Sequence, residues 1–385
     1  MQTNPKFSSE AQVLHTFLKH VPAGDIDTLV LQGSGIDRTR TSELFAGLDG
    51  VEVDEVPVKR LGQSRESALE MVPKVGAAAR LLTYDAIRLV QAARRFKPHV
   101  VYSTQRVWDV RLARFLASSF GVPRVLHLHY IPGPWLGSGS VRALRSSHLV
   151  LCVSDYIRRE TIKFADPTRL RVLHNAIELP AQQDRGQSRR DLSHELDLPA
   201  GAILVGMVAR LNPSKCQVDL LKAMHPLLSS NPRLQLVFVG GDDLPGEPVM
   251  RALAALRMQL GATKQVHLLG QRPDVPRILT ALDVFAHPSR QEPFCLSILE
   301  AMAHSLPVVA VREGGTVEQV GHGQTGLLTS PGDLDALTDA LSRLVNEPEL
   351  AGKMGRLGYE RVAQEFNPVP QAERFLNLLN GVSQR

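Results

Sequence analysis

Two glutamates, Glu292 and Glu300, stand on either side of the predicted start of a helix. Pro293 biases Glu292 toward an extended backbone, so its side chain can project from the loop, whereas Glu300 falls about two turns into the helix. The free N–H groups near residues 294–297 form an anion site. This arrangement could bind sugar hydroxyls on both sides of a diphosphate. An ordinary helix with an acidic residue near its start fits the pair equally well, so the pair alone leaves both interpretations open.

Two cations, Arg210 and Lys215, follow an apolar run at 203–208 and precede a predicted helix. Arginine can form paired hydrogen bonds to phosphate oxygens, and lysine adds a point charge. Alone, the two cations are also compatible with a solvated basic loop. Together with the two glutamates they predict a site for a sugar carried on a diphosphate. The sequence has no G-x-x-x-x-G-K-[ST] motif and no G-x-G-x-x-G at a strand end, which argues against kinases and nicotinamide enzymes.

The elements that must position these residues alternate as they do in parallel α/β sheets. Apolar runs at 284–286 and 307–311 flank the helix that holds Glu300 and predict a strand–loop–helix–strand unit. The polar stretch 180–190 is interpreted as a linker. We therefore predict an α/β protein of two Rossmann-like, doubly wound domains that face a ligand cleft. The predicted boundaries are 1–178 for the first domain, 179–365 for the second, and 366–385 for a C-terminal helix that could pack back on the first.

The stretch 124–130 alternates apolar and polar residues and predicts a strand with His127 and His129 on one face. It leads into a glycine- and proline-rich loop at 132–140, which contains Trp135. Loops beyond strand ends are where α/β folds place their binding sites. A histidine on a strand is also often structural, so both roles remain open for these two residues.

The composition excludes several classes of protein. Lys and Arg number 44 against 39 for Asp and Glu, and this small excess forms no long basic run, so nucleic-acid binding is not indicated. The three cysteines have no disulfide or metal-ligand spacing, which suggests a reducing compartment. No apolar run approaches the roughly 18 residues of a membrane span. With neither signal nor transit peptide recognisable, we expect a cytoplasmic location.

Two further patterns keep an alternative open. A predicted helix at 74–96 carries several arginines, which we interpret as a solvated face; the alternative is a peripheral contact with acidic lipid headgroups at the inner face of the membrane. Asp242 and Asp243 follow two glycines and could be a metal pair, but a capped turn is favoured. We therefore predict no metal site.

Several stretches resemble the retaining glycosyltransferases of family 4, which have two Rossmann-like domains in the GT-B architecture. The match is highly specific in the second half and weaker in the first, where V-L-H-L-H-Y, V-S-D-Y-I and V-L-H-N-A-I carry it. The second-half stretches are V-G-M-V-A-R-L-N-P-S-K (205–215), L-G-Q-R-P-D-V (269–275), D-V-F-A-H-P-S-R-Q-E-P-F (283–294), E-A-M-A (300–303), P-V-V-A (307–310) and G-H-G-Q-T-G-L-L (321–328).

The resemblance implies an enzyme that transfers a sugar, with retention of configuration, from a nucleotide-diphospho-sugar to a polysaccharide, glycolipid or similar acceptor. The family needs neither a metal nor another cofactor. Retention would follow from attack on the same face with the leaving phosphate as base, so Glu292 is not expected to be a covalent nucleophile.

The resemblance also implies a role for individual residues. Arg210 and Lys215 would hold the donor diphosphate, and Glu300 would bind the ribose hydroxyls. Glu292 would contact the donor sugar, and His129 would match the family histidine near the reacting centre on the acceptor side. The catalytic group implied is therefore His129, Glu292, Arg210 and Lys215. Further donor contacts implied are Arg272, in the loop 271–275 near the base, and the backbone at Phe294, Cys295 and Leu296.

The chain departs from the family at several positions. Cys295 stands where the family usually has glycine, and Cys216, Ser305 and Ala176 also replace usual glycines. We expect the chain to begin at the helix near Ser9, so the family's first strand and its glycine-rich loop are expected to be missing. One alternative is therefore a degenerate relative that binds a nucleotide-sugar or a partner without turnover. Another is a phosphorylase or sugar-nucleotide epimerase of the same architecture.

Overall fold

The computed structural model describes residues 9–33, 43–56, 87–104, 107–181, 183–242 and 246–384. The chain forms two compact units, one of Met1–Ala176 with Pro368–Arg385 and one of Ile177–Asn367. Three predictions fall partly or wholly outside the described residues: the expected absence of a first strand and glycine-rich loop before Ser9, the first part of the 74–96 helix, and Asp243. Within the described ranges, no helix is long and apolar enough to cross a bilayer.

The first unit contains two parallel sheets. One pairs β1 (Thr28–Gly33) with β2 (Val51–Val56), and the other has the order β3 (Val101–Ser103), β4 (Arg124–Leu128), β5 (Leu149–Cys152) and β6 (Leu170–Val172). The helices of this unit are Ser9–His20, 87–96, Val107–Phe120, Gly137–Arg145, Asp155–Thr161 and Pro368–Ser383.

The C-terminal helix Pro368–Ser383 belongs to the first unit, where it packs against the helix Ser9–His20. The rings of Phe17 and Phe375 lie 5.3 Å apart at this contact, and both side chains are fully buried. Burying an aromatic side chain contributes roughly 1.5–3 kcal/mol. The last helix is therefore an integral part of the first unit's core.

The second unit has a six-stranded parallel sheet in the order β12-β11-β10-β7-β8-β9. These strands are β7 (Ile203–Val208), β8 (Leu234–Val239), β9 (Val266–Leu268), β10 (Val284–His287), β11 (Val308–Val311) and β12 (Gly326–Thr329). The helices are Arg185–Glu195, Gln217–Ser230, Pro248–Gln259, Val275–Ala281, Leu296–Ala303, Thr316–Gln319, Leu334–Asn346 and Pro348–Glu365. These two units confirm the predicted α/β class with parallel sheets.

The strand order creates a topological switch point between β7 and β10. From β7 the chain moves to β8 on one side, whereas β10 pairs with β7 on the other side, with Val284 opposite Val205. In open α/β sheets, ligands bind beyond the carboxyl ends of strands at such a point. The loops that carry the predicted cations and glutamates leave these two carboxyl ends.

The predicted linker at 180–190 is partly wrong, because residues 185–195 form a helix. Asp184 caps this helix by accepting a hydrogen bond from the backbone N–H of Gln187. Arg185 and Arg189 both pair with Asp283 at 2.9 Å, just before β10. Charged contacts and the single buried leucine Leu192 hold the helix, so there is too little hydrophobic periodicity to reveal it.

The predicted strand at 124–130 ends at Leu128, so His129 follows the strand rather than lying in it. The adjoining glycine- and proline-rich segment is also less irregular than predicted, since it contains a 3-10 turn at Pro134–Leu136 and the start of the helix Gly137–Arg145. Ala143 and Leu144 are buried in this helix, and that burial offsets the poor helix propensity of its two glycines.

Candidate functional site

The loop after β7 turns sharply before the next helix. Asn212 accepts a hydrogen bond from the backbone N–H of Ser214, and the 3-10 turn Pro213–Lys215 follows. Cys216 then adopts a left-handed conformation with φ of 57°. Gln217 is fully buried, and its side chain donates a 2.8 Å hydrogen bond to the carbonyl of Arg210. These contacts fix the backbone that presents Arg210 and Lys215.

The loop after β10 is hydrogen-bonded to the loop after β7. The Ser289 hydroxyl lies 3.0 Å from the carbonyl of Ser214 and shares its one proton between that carbonyl and Glu292, and the backbone N–H of Arg290 donates to the same carbonyl at 3.3 Å. Each such bond is worth about 1 kcal/mol net. The two loops at the switch point therefore act as one platform.

Glu292 is the centre of this platform. Its Oε1 accepts hydrogen bonds from Lys215 Nζ and Ser289 Oγ, and His287 Nε2 lies 3.3 Å away. Burial by itself would raise the pKa of Glu292, but the hydrogen bond from His287 and the charge of Lys215 outweigh it and lower the pKa. Glu292 is therefore a buried carboxylate that stays ionised at neutral pH.

Two glycines let the backbone of Glu292 sit against the next loop. The N–H of Gly315 donates to the Glu292 carbonyl at 2.7 Å. A Cβ on Gly314 would lie 2.4 Å from that carbonyl oxygen, and Gly314 has φ of 67°. Glycine is required there for space and conformation.

Cys295 lies beside His287 at the start of the helix Leu296–Ala303. Its Sγ is 3.2 Å from His287 Nε2 and 3.2 Å from Ser297 Oγ. Its backbone exchanges two hydrogen bonds with the buried side chain of Gln319, at 3.0 and 2.7 Å. Burial would raise the pKa of Cys295 and lower that of His287, but their mutual interaction reverses both directions. The pair consequently shares one proton.

The helix Leu296–Ala303 buries one side and leaves a partly exposed stripe. Glu300 lies on this stripe with Leu296 and Ser297. Among the described residues the Glu300 carboxylate makes no hydrogen bond, and burial raises its pKa. The ring of Phe294 packs edge-to-face on Phe366 at 5.6 Å and is buried, so its side chain is largely closed to a ligand.

Arg272 forms ion pairs with carboxylates of the second unit other than Glu292 and Glu300. Its guanidinium pairs with Glu195 at 2.5 Å and Asp274 at 2.8 Å, and Arg277 joins both carboxylates. The hydrogen bonds from Arg272 lower the pKa of Asp274. This network holds the loop 271–275 against the helix Arg185–Glu195. Arg210, by contrast, is exposed.

His129 belongs to the first unit. Its ring lies 4.2 Å from that of His127, which is hydrogen-bonded to the Tyr102 hydroxyl at 2.8 Å. Burial lowers the pKa of His129 to about 3, so the imidazole is neutral at physiological pH. Within the described residues its Nε2 is buried without a hydrogen-bond partner. A buried polar atom of this kind is suited to receive a ligand.

The structure brings Lys215, Glu292 and Cys295 into one connected cluster and places Glu300 on the adjoining helix. It also adds residues to which the sequence analysis gave no role, namely His287, Ser289, Ser297 and Gln319. His287 and Ser289 lie inside the quoted stretch 283–294, where only Glu292 and Phe294 were given roles. Gln319 carried no local signal, since its contact with Cys295 spans 24 residues.

Comparison with known proteins gives two family matches that together cover most of the chain. The model described as "Glycosyl transferases group 1" matches residues 188–361, and "Glycosyltransferase Family 4" matches residues 50–180. The second-unit match contains the whole Glu292 platform.

Similar proteins include curated enzymes and solved structures. The alpha-maltose-1-phosphate synthase of Mycolicibacterium smegmatis is 31% identical over 92% of this chain and 96% of its own length. The D-inositol 3-phosphate glycosyltransferase of Corynebacterium efficiens is 32% identical over 56% of this chain and 51% of its own. Anabaena HepE in complex with UDP-glucose matches with a TM-score of 0.79 and 24% identity, over 99% of this chain and 98% of that one. The fold is therefore GT-B, with two Rossmann-like domains, and the chain belongs to glycosyltransferase family 4.

Proposed function

We propose that this protein transfers a sugar from a nucleotide-diphospho-sugar to a carbohydrate or lipid-linked acceptor, with retention of configuration and without a metal ion. The observation that carries the proposal is the largely shielded Lys215–Glu292 pair at the switch point, followed along the chain by the helix that carries Glu300. The family of the chain and the names of its relatives support the same reaction class.

The donor diphosphate would lie between the loop after β7 and the start of the helix Leu296–Ala303. Lys215 and the exposed Arg210 supply positive charge, and the free N–H groups of the helix start supply hydrogen-bond donors. Preorganised donors stabilise the charge that develops on a leaving group. We propose that these groups drive departure of the nucleoside diphosphate.

Glu300 would accept hydrogen bonds from the ribose hydroxyls. Its partly buried carboxylate lacks a hydrogen bond among the described residues, and burial raises its pKa. A pair of hydroxyl donors would satisfy both oxygens and offset the cost of burial. Donor binding would thus remove an unfavourable feature of the free protein.

Glu292 would orient the donor sugar rather than attack it. Lys215, Ser289 and His287 all lie against one of its oxygens, and its pKa is lowered. A carboxylate so stabilised is a weak nucleophile, which supports attack by the acceptor on the same face with the leaving phosphate as base. A glycosyl adduct on Glu292, sought by mass spectrometry with a fluorinated donor analogue, would overturn this step.

His129 would act as a neutral hydrogen-bonding group toward the reacting sugars. Because burial lowers its pKa to about 3, it holds no ionisable proton near neutral pH. The pH dependence of turnover between 6 and 8 should therefore not report an ionisation of this residue.

A donor panel tests the proposal. We expect hydrolysis or transfer with at least one of UDP-, GDP- and ADP-glucose; the HepE structure with UDP-glucose makes the uridine donor the first to assay. Activity should persist in EDTA, and NMR of the product should show the anomeric configuration of the donor. Failure of every sugar nucleotide to bind would overturn the proposal. Binding without turnover would instead favour the degenerate relative, for which the side chain at Cys295 is the specific structural reason.

A further inference from the structure

Three different metal-ligating side chains meet at the platform. His287, Glu292 and Cys295 are all buried, and each offers one ligand atom within 4.8 Å of the other two. Glu292 and His287 have roles in holding the platform together. Cys295 stands where the resemblance to the family leads us to expect glycine, so this chain has a ligand that a glycine would not supply.

The spacing of the three atoms fits a small tetrahedral ion. Zn²⁺ takes histidine nitrogen and carboxylate oxygen at about 2.0–2.2 Å and thiolate sulfur at about 2.3 Å, so two such ligands lie roughly 3.4–3.6 Å apart. His287 Nε2 is 3.2 Å from Cys295 Sγ and 3.3 Å from Glu292 Oε1. Both distances are close to that spacing, and the ligand atoms of Glu292 and Cys295 lie within 4.8 Å of each other, so an ion would need the three side chains to adjust around it.

The ligand set also has suitable charge and softness. A thiolate and a carboxylate together neutralise a divalent cation, and imidazole with thiolate favours Zn²⁺ over Mg²⁺ or Ca²⁺. Ser297 Oγ lies 3.2 Å from the Cys295 sulfur and could donate a supporting hydrogen bond to the thiolate. Three protein ligands leave the fourth position to water.

We propose that His287, Glu292 and Cys295 form a binding site for Zn²⁺ or a similar thiophilic divalent ion. Binding displaces the proton that Cys295 and His287 share and releases it to solvent. The ion draws Glu292 away from Lys215, whose side chain is 18% exposed and can move toward water.

This ion would inhibit the enzyme rather than serve its reaction, a consequence that rests on the proposed function. In the proposed function, Lys215 binds the donor diphosphate and Glu292 orients the donor sugar. An ion that binds Glu292 would therefore compete with the donor. Raising the donor concentration should then relieve the inhibition, and EDTA should reverse it.

Cobalt titration tests the site without any assay of activity. Co²⁺ replaces Zn²⁺ in such sites and gives visible d–d bands together with a near-ultraviolet thiolate charge-transfer band. One equivalent of Co²⁺ should produce both bands in the wild-type protein, and excess Zn²⁺ should remove them. Cys295→Ser should abolish the charge-transfer band, and His287→Gln should weaken the affinity by at least about 10- to 100-fold, the loss typical of even an outer-shell partner.

Cys216→Ser is the matched control, because Cys216 lies in the same unit, is more exposed, and makes no contact with His287 among the described residues. Its spectrum should equal that of the wild type, and circular dichroism confirms the fold of each variant. Absence of the charge-transfer band from the wild type, or its retention in Cys295→Ser, would overturn the proposal. Cobalt binding in a protein that binds no sugar nucleotide would leave the metal site standing and remove only the proposed function.

Discussion

Replacing Lys215 with methionine removes the ammonium group from the Lys215–Glu292 pair and keeps most of the side-chain volume. The two side chains are only 18% and 8% exposed, so the pair is largely shielded from water. Breaking a buried pair by removing one partner costs about 3–5 kcal/mol. Ser289 and His287 still face the Glu292 carboxylate in the variant, so we expect a loss of about 2–3 kcal/mol in the free energy of unfolding.

A double-mutant cycle isolates the energy of the pair itself. Glu292→Gln leaves Lys215 able to reach solvent, and we expect it to cost about 1.5–3 kcal/mol. In the Lys215→Met background, Glu292→Gln replaces a carboxylate that no longer has a lysine beside it, so this replacement should cost less than it does in the wild type. The double variant should therefore be more stable than the sum of the single losses predicts, by about 1–2 kcal/mol.

Urea unfolding followed by far-ultraviolet circular dichroism measures the three losses. Lys222→Met is the matched control, because Lys222 is exposed on the helix Gln217–Ser230, and its replacement should change stability by less than about 0.5 kcal/mol. Strictly additive single losses, or a Lys215→Met loss no larger than that of Lys222→Met, would refute the argument that this pair joins the two loops.

Four further outcomes follow from the site. Glu300→Gln should weaken donor binding about ten- to a hundredfold in a calorimetric titration while raising the free protein's stability at neutral pH, because burial raises the pKa of that carboxyl. The pKa of Glu292 is lower in the folded protein than its unfolded value of about 4.3, so ionised Glu292 stabilises the fold above that pH. Urea midpoints taken below that pH should therefore show a smaller difference in stability between the wild type and Glu292→Gln. Gly314→Ala should cost about 2–4 kcal/mol, because its Cβ would lie 2.4 Å from a carbonyl oxygen, whereas Gly323→Ala, also at positive φ but with nothing within 4 Å, should cost only about 1–2 kcal/mol. Cys216→Gly should stabilise the fold by about 0.5–1 kcal/mol, since relief of the left-handed strain exceeds the added chain entropy.

Unchanged donor affinity in Glu300→Gln would remove the ribose role, and unchanged stability would indicate that the carboxyl has solvent access. A constant difference between wild type and Glu292→Gln down to pH 3 would show that Glu292 has an ordinary pKa. Equal losses for the two alanine variants would contradict the close approach at Gly314. A loss of stability in Cys216→Gly would mean that its side-chain contacts outweigh the strain.

The alternation of apolar runs made the second unit the more predictable part of the fold. The apolar run at 203–208 forms a strand with the same boundaries, because turn-forming residues bound it on both sides. The strand Gly326–Thr329 was not predicted, although its residues lie in a family stretch. A segment of only four residues between turns is too short for its hydrophobic periodicity to distinguish a strand from a loop.

Some residues of the cluster around Glu292 were named from the sequence, but their contacts were not predicted. Lys215 and Glu292 were assigned separately to the diphosphate and the sugar, whereas the structure joins them directly. That contact depends on β10 pairing beside β7, a non-local choice that local patterns do not encode. Gln319 likewise binds the backbone of Cys295, a residue 24 positions earlier in the sequence, so its contact depends on the tertiary fold.

Three of the four positions at which glycine was expected, Cys216, Ser305 and Cys295, divide into two physical kinds. Cys216 and Ser305 have φ of 57° and 58°, so the reason to expect glycine at these two positions is the left-handed backbone conformation. Cys295 has φ of −92° and ψ of 112°, which any residue adopts, so glycine is not required there for conformation. The side chain at 295 therefore alters the site through the volume and the sulfur that it adds beside His287 and Glu292. Its effect on the proposed donor site is steric and chemical rather than conformational, and it is at this residue that we expect the chain to differ most from relatives with glycine.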